Sequence, residues 1–123
     1  MYARAASVYR KVYLESASPA RILDELYARL LADIAAARAG VVAGNAAAKG
    51  TALSHANSII SELVAALDRS VAPELCENLA RLYAFVQERL TECNSTMDPR
   101  PLASAERIIT TIREGFQGAM VRP

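Results

Sequence analysis

His55, Cys76 and Cys93 are the residues of this 123-residue chain with the widest chemical reach. His55 is the single histidine, so a histidine-based metal site would need partners at ligand spacing. The sequence has neither Glu-x-x-His nor Cys-x-x-Cys, and we expect no metal and no cofactor. Ser54 precedes His55, but adjacent residues on a helix point about 100° apart and there is no Gly-x-Ser-x-Gly elbow. No glycine-rich phosphate loop is present. The acid pair Asp24-Glu25 reads as a solvated helix face. Cys76 and Cys93 fall in one helical segment, where seventeen residues of helix separate them by about 25 Å. That is far beyond disulfide reach, so both read as reduced, partly buried thiols. These residues make no case for catalysis, and the chain does not read as an enzyme.

Composition narrows the alternatives. Lys+Arg is 14 and Asp+Glu 13, a net charge of +1 that gives no electrostatic reason to bind nucleic acid or an anionic membrane. At 53% hydrophobic residues the chain is not wholly disordered. The longest stretch free of charged residues and histidine, Ala39 to Ala48, is about half of what a membrane span needs. The N-terminus has no unbroken apolar run of the kind a signal peptide carries. A cytoplasmic protein without membrane insertion is the expectation.

Abundant alanine, with five glycines and five prolines, favours helix. Tyr2, Ala5, Ala6, Tyr9, Val12 and Tyr13 recur at helical spacing in a short N-terminal arm. Ser18-Pro19 starts a first helix, with Ser as N-cap and Pro at the first helical position. Leu23, Leu26, Tyr27, Leu30, Leu31, Ile34 and Val41 mark its apolar face. Gly44-Asn45 closes it and caps a second helix whose Leu53, Ala56, Ile60, Leu63 and Leu67 form a heptad seam. Gly50 weakens that helix's first turn, and the helix should stop near Ser70, before Pro73 opens a third. The third helix places Leu75, Leu79, Leu82, Val86, Leu90 and Cys93 inward, with Tyr83 alongside, and ends at Asn94. A proline-rich loop leads to a fourth from about Pro101, with Leu102, Ala105, Ile109, Ile112 and Phe116 inward and Gly115 and Gly118 fraying its end. The fold class is therefore all-α: an antiparallel four-helix bundle over 18–118, an arm over 1–17 and a tail over 119–123.

Four-helix histidine phosphotransfer modules have about this length and carry a reactive histidine on the second helix. They place a lysine three residues after it, to stabilise the phosphoryl group, and a glycine next, to give access. Ser58 and Ile59 hold those places here. A phosphotransfer module using His55, or a generic helical adaptor, remains the alternative reading. What does stand out is apolar surface. Each helix carries an apolar arc of about 140°, slightly more than a bundle core consumes. Phe85 lies about 60° beyond the Leu82 edge of its stripe, so it either covers a seam between helices or lines a groove for a partner helix. Ile59 and Ile108 sit at the edges of their own stripes.

Four pieces of the sequence, in order, resemble the FliS family of flagellin-specific export chaperones. Val12 to Tyr27 (V-Y-L-E-S-A-S-P-A-R-I-L-D-E-L-Y) is similar to that family's opening: an arm tyrosine, here Tyr9 or Tyr13, then Ser18-Pro19, then Leu26-Tyr27. Ala56, Ile59-Ile60, Leu63 and Leu67-Asp68 match its second helix. Asn78, Leu79, Leu82, Tyr83, Phe85, Leu90 and Asn94 match its third. The likeness runs from Tyr2 to Phe116. The chain departs from the family in having Ala28-Arg29 where Asp-Gly is frequent, and Phe116 in the region where Trp is frequent. The resemblance implies a cytoplasmic chaperone that binds the disordered C-terminal segment of flagellin. It would prevent premature polymerisation and hand the subunit to the flagellar type III export gate. A disordered amphipathic tail can wrap a small bundle at the cost of ordering entropy, with no catalytic residue required.

On this reading the partner groove is formed by Ile59, Leu63, Leu82, Tyr83 and Phe85, with Asn78 as a polar anchor. Tyr9 and Tyr13 of the arm cover part of it when no partner is bound, because a short arm needs an apolar surface and an open groove needs a lid. The residues do not choose between a monomer and a homodimer.

Overall fold

Helix is what this alanine-rich chain forms. The computed structural model describes residues 8–9 and 19–120, the side chains of 119 and 120 excepted. Its helices are α1 (Pro19–Val42), α2 (Ala46–Ala65), α3 (Pro73–Ser95) and α4 (Arg100–Met120). Among the described residues the one extended pairing is a single antiparallel bridge between Tyr9 and Leu67. The Ser18 cap, Tyr13 with most of the arm, and the end of the tail lie outside the described residues. The architecture is the expected all-α four-helix bundle. α1 packs on α2 and α4, and α3 packs on the same two, so the four close into a ring. The registers are antiparallel. Asp24 of α1 meets Arg113 of α4, while Arg38, further along α1, meets the earlier Glu106. In the same way Lys49 of α2 reaches Asn94 at the end of α3, and Asn57 reaches Gln87. No described helix is long and apolar enough to cross a membrane.

The α1–α2 corner follows its sequence closely. Gly44 adopts φ +68°, the left-handed conformation that glycine enters without a Cβ penalty. The Gly44 N–H donates to the Val41 carbonyl at 3.0 Å and the Asn45 N–H to the Gly40 carbonyl at 2.8 Å, the paired bonds of a Schellman end. Asn45 then caps α2, its side-chain oxygen accepting from the Ala48 N–H at 3.0 Å. Gly40 lets the two helices meet, because a Cβ there would lie 2.8 Å from the Lys49 backbone nitrogen. Backbone cannot swing aside. Gly40→Ala is therefore expected to destabilise by about 1–3 kcal/mol from overpacking, which outweighs a propensity gain of up to about 1 kcal/mol. Gly50 has open space around its Cβ position. Gly50→Ala should stabilise by about 0.5–1 kcal/mol. Urea midpoints shifting in the same direction for both variants would contradict this account.

Four details differ from the sequence expectation. α2 ends at Ala65, not near Ser70. The Leu67 backbone bridges to Tyr9 and the Asp68 N–H donates to the Val8 carbonyl, so the arm takes the groups a further helical turn would use. Asp68 turns the chain by accepting from the Ser70 N–H and hydroxyl. α4 continues through the expected fray at Gly118 to Met120. Phe116 packs on the core and Gln117 donates to Asp24 at 2.8 Å, which anchors that last turn. The inward stripe of α3 is rotated relative to expectation: Leu75 and Leu82 are each 39% exposed, while Cys76 and Tyr83 are fully buried. Asp24 also departs from a solvated face. It chelates Arg113 (2.8 and 3.2 Å), and that guanidinium holds its carboxyl below the usual range.

Both cysteines are free and fully buried. Lys49 is buried too, and its ammonium donates to the Asn94 and Thr96 carbonyls at 3.0 and 2.9 Å. A cation at that end satisfies orphan carbonyls of α3 and opposes its dipole.

Candidate partner-binding surface

Three tyrosines from three segments converge at one end of the core. Tyr9 comes from the arm, Tyr27 from α1 and Tyr83 from α3, and all three are fully buried. Their hydroxyls form a closed triangle: Tyr9–Tyr27 2.8 Å, Tyr9–Tyr83 2.6 Å and Tyr27–Tyr83 2.8 Å. A phenol can donate once and also accept, so the ring lets each hydroxyl do both. Phe116 of α4 forms a wall, its centroid 5.9 Å from both Tyr9 and Tyr27. The arm is thus held by an aromatic slot, a hydroxyl triangle and a backbone hydrogen bond. Below it, the Cys76 thiol donates to the Asp68 carbonyl at 3.3 Å.

Burial pushes the phenols of Tyr9 and Tyr83 up, Tyr83 strongly. An unfolded chain lets both ionise near pH 10. The stability they contribute is therefore complete below about pH 10 and is lost as pH rises from there through the raised values. Denaturation midpoints of the wild type should fall between pH 9 and 11, and Tyr83→Phe should flatten that fall. An unchanged slope in the variant would remove Tyr83 from the account.

The residues assigned from sequence to the groove occupy three places. Leu63 and Tyr83 are fully buried in the core. Ile59, 8% exposed, lines an open cleft between α1 and α2 with Arg29, Asp33, His55, Ser58 and Glu62. Asn78, Leu82 and Phe85 stay exposed on α3. Leu75, Asn78, Leu82, Phe85 and Arg89 follow one another at spacings of 3, 4, 3 and 4 along that flank. The Arg89 guanidinium lies 5.1 Å over the Phe85 ring, and its Nε is buried without a hydrogen-bond partner among the described residues. The arm places Tyr9 over Tyr83 and Tyr27 rather than over this flank.

His55 is exposed beside Asp33, whose carboxyl burial pushes up. Among the described residues no cluster of His, Cys, Asp and Glu could hold a metal. Sequence reading did not find the hydroxyl triangle, although it singled out all three tyrosines. The available signal was that a tyrosine on an inward stripe needs a polar partner for its tip. It also missed Lys49 and Gly40, which no pattern marks.

The chain matches the family model "Flagellar protein FliS" over residues 1–123. It is 32% identical over 114 residues to the flagellar secretion chaperone FliS of Salmonella typhimurium, covering 89% of this chain and 84% of that protein. It is 32% identical over 123 residues to the flagellar secretion chaperone FliSB of Pseudomonas aeruginosa, covering 96% and 98%. With the FliS of Vibrio cholerae it shares 30% over 112 residues, 88% and 82% of the two chains. None of these matches favours a phosphotransfer role for His55. A whole-length match of this kind, on a four-helix bundle, places the chain in the FliS family.

Proposed function

We propose that this chain is a cytoplasmic flagellar secretion chaperone. It binds the C-terminal segment of flagellin, keeps that segment from polymerising early and presents it to the export apparatus. The observation that carries the reading is the likeness, over nearly the whole chain, to proteins named flagellar secretion chaperones. The geometry supports it: a filled core leaves an apolar seam open on α3, and an arm is seated where a competitor could displace it. The chain acts by binding and not by catalysis. Flagellin's segment folds as it binds, burying apolar area at the cost of ordering. A partner that reaches past the α3 seam into the Tyr9 slot has to displace the arm, which lowers apparent affinity by the fraction of time the arm is seated there.

Calorimetry of the full chain with a peptide of the cognate flagellin C-terminus should give one-to-one binding and a negative heat-capacity change. Light scattering of the complex checks the stoichiometry. Cys76 supplies a built-in reporter, because it lies beneath the segment that holds the arm. Its reaction with a thiol reagent should accelerate on peptide binding, while Cys93, at the far end of α3, stays slow. No binding at micromolar concentration would end this reading, and phosphorylation of His55 by a phosphodonor kinase would replace it.

A further inference from the structure

We propose that the outer face of α1 and α2 is a self-association surface. Its occupant is a second copy of this chain, turned about a two-fold axis so that Arg29 of each copy pairs with the partner's Asp33. This goes beyond the proposed function and does not depend on it.

Two cavities of about 420 and 440 Å³ lie along that face and share Asp33 and His55. From Glu62 to Ala48 on α2 they make one groove about 20 Å long. One half is lined by small exposed residues, Ala36 of α1 with Ala47, Ala48 and Thr51 of α2. The other half is charged, with Arg29 and Asp33 one turn apart on α1. Those charges single the face out. Arg21–Glu25 and Glu77–Arg81 have the same four-residue spacing, and both close into ion pairs at 3.4 and 2.9 Å. Arg29 has Glu25 one turn before it and Asp33 one turn after, yet it forms an ion pair with neither among the described residues. Asp33 is half-buried and accepts no hydrogen bond there. Burial pushes its carboxyl up, and the charges of His55 and Arg29 offset only part of that. Glu62 already has a partner of its own. The groove therefore holds one cation and one anion, side by side and unused.

A two-fold axis turns that pair into complementarity. An isologous interface places the same patch on both copies, so a patch that meets itself must carry both signs, each opposite the other. When α1 packs antiparallel on its symmetry mate, with the axis between residues 29 and 33, Arg29 meets the partner's Asp33 and Asp33 meets the partner's Arg29. Ala32 lies beside that axis and Ala36 one turn on, both exposed, and such small side chains let two helices approach to the short end of the 8–10 Å range. The face is about 20 Å long and, as two helices side by side, about 20 Å wide. That is small against the roughly 800 Å² per partner of a stable interface, so the dimer is a reversible one. The exposed flank of α3 stays clear of it. α3 stands diagonally across the ring from α1, and Arg89 of that flank lines a cavity with Pro101 and Ser104 of α4. Each copy in the dimer can still take one flagellin segment.

The test is sedimentation equilibrium of the full chain, without any added partner, from micromolar to millimolar concentration. The wild type should form a reversible dimer in that range. Arg29→Asp sets like charges opposite each other at both contacts and should weaken self-association about tenfold or more, and Asp33→Arg should do the same. Mixing these two variants in equal amounts should give a heterodimer, because one chain offers two carboxylates and the other two guanidiniums. Arg29→Asp/Asp33→Arg exchanges the signs within one chain and should self-associate again. A wild type that stays monomeric throughout overturns the proposal, as does a dimer indifferent to the charge variants or a mixture that fails to associate. If Phe85→Ala dissolves the dimer while Arg29→Asp does not, the copies meet through the α3 seam and the proposal falls as well. Should a charge variant lose its helical circular dichroism, Ala32→Gln blocks the close approach from an exposed position, and a dimer that survives it overturns the proposal.

Discussion

Tyr83→Ala is expected to cost about 3–5 kcal/mol of stability, the range for removing a large aromatic side chain from a core. Tyr83 is fully buried and touches the Tyr9 and Tyr27 hydroxyls at 2.6 and 2.8 Å. Truncation therefore does two things. It opens a cavity among well-packed helices, and it strips two other phenols of a partner. In a chain of this size the melting temperature should drop on the order of 10–20 °C. Tyr83→Phe separates the two contributions: it keeps the ring, so the loss should shrink to about 1–3 kcal/mol. Leu63→Ala provides a comparison without a hydroxyl, because Leu63 is also fully buried. Its expected cost is about 2–5 kcal/mol. Thermal and urea unfolding of the three variants would measure this. A loss below about 1 kcal/mol for Tyr83→Ala would mean that the ring lies on an open groove, as its position beside the apolar stripe suggested from sequence.

Tyr83 also shows where sequence reading stops. Helical spacing found all four helices, and the Gly44-Asn45 corner and the Pro73 start fell where local chemistry put them. Those signals are local, carried by φ preference, caps and periodicity. The rotation of α3 was not local. Leu75 and Leu82 are as apolar as any core residue, and periodicity alone puts them inward. What turns the helix is Tyr83, whose hydroxyl finds its partners on α1 and on the arm, 56 and 74 residues away in sequence. The end of α2 failed for the same reason, since the arm claims backbone groups at Leu67 and Asp68. Asp24 looked solvated until Arg113, 89 residues on, was seen to chelate it. The candidate site was partly legible. The edge position of Phe85 was read from the helical wheel, and it is indeed 39% exposed. Which stripe residues share one surface depends on the packing of four helices, so Ile59 and Phe85 could not be told apart from sequence.

That separation sets up the second large effect. Phe85→Ala and Leu82→Ala are each expected to weaken binding of the flagellin segment by about thirtyfold or more, the loss typical of an interface hot spot. Stability should change by less than about 1 kcal/mol, because both side chains are already 39% exposed. Leu75, Asn78, Leu82, Phe85 and Arg89 repeat at 3, 4, 3 and 4 residues, the spacing with which one helix meets another. From Leu75 to Phe85 the seam is about 15 Å long, close to three turns. Its three apolar members offer a partner helix alternating anchors, and Asn78 breaks the row between two of them. A single polar residue in such a seam fixes register at some cost in affinity. Asn78→Leu should therefore tighten binding while loosening discrimination between the cognate segment and one shifted by a heptad. The Arg89 guanidinium lies 5.1 Å from the Phe85 ring centroid and is attracted by the ring's face, which leucine does not offer, so Phe85→Leu should recover only part of the affinity. Calorimetry on the purified variants, alongside their melting curves, measures each of these. If Phe85→Ala and Leu82→Ala bind as the wild type does while Ile59→Ala does not, the partner lies in the α1–α2 cleft beside His55, and the α3 seam serves some other contact.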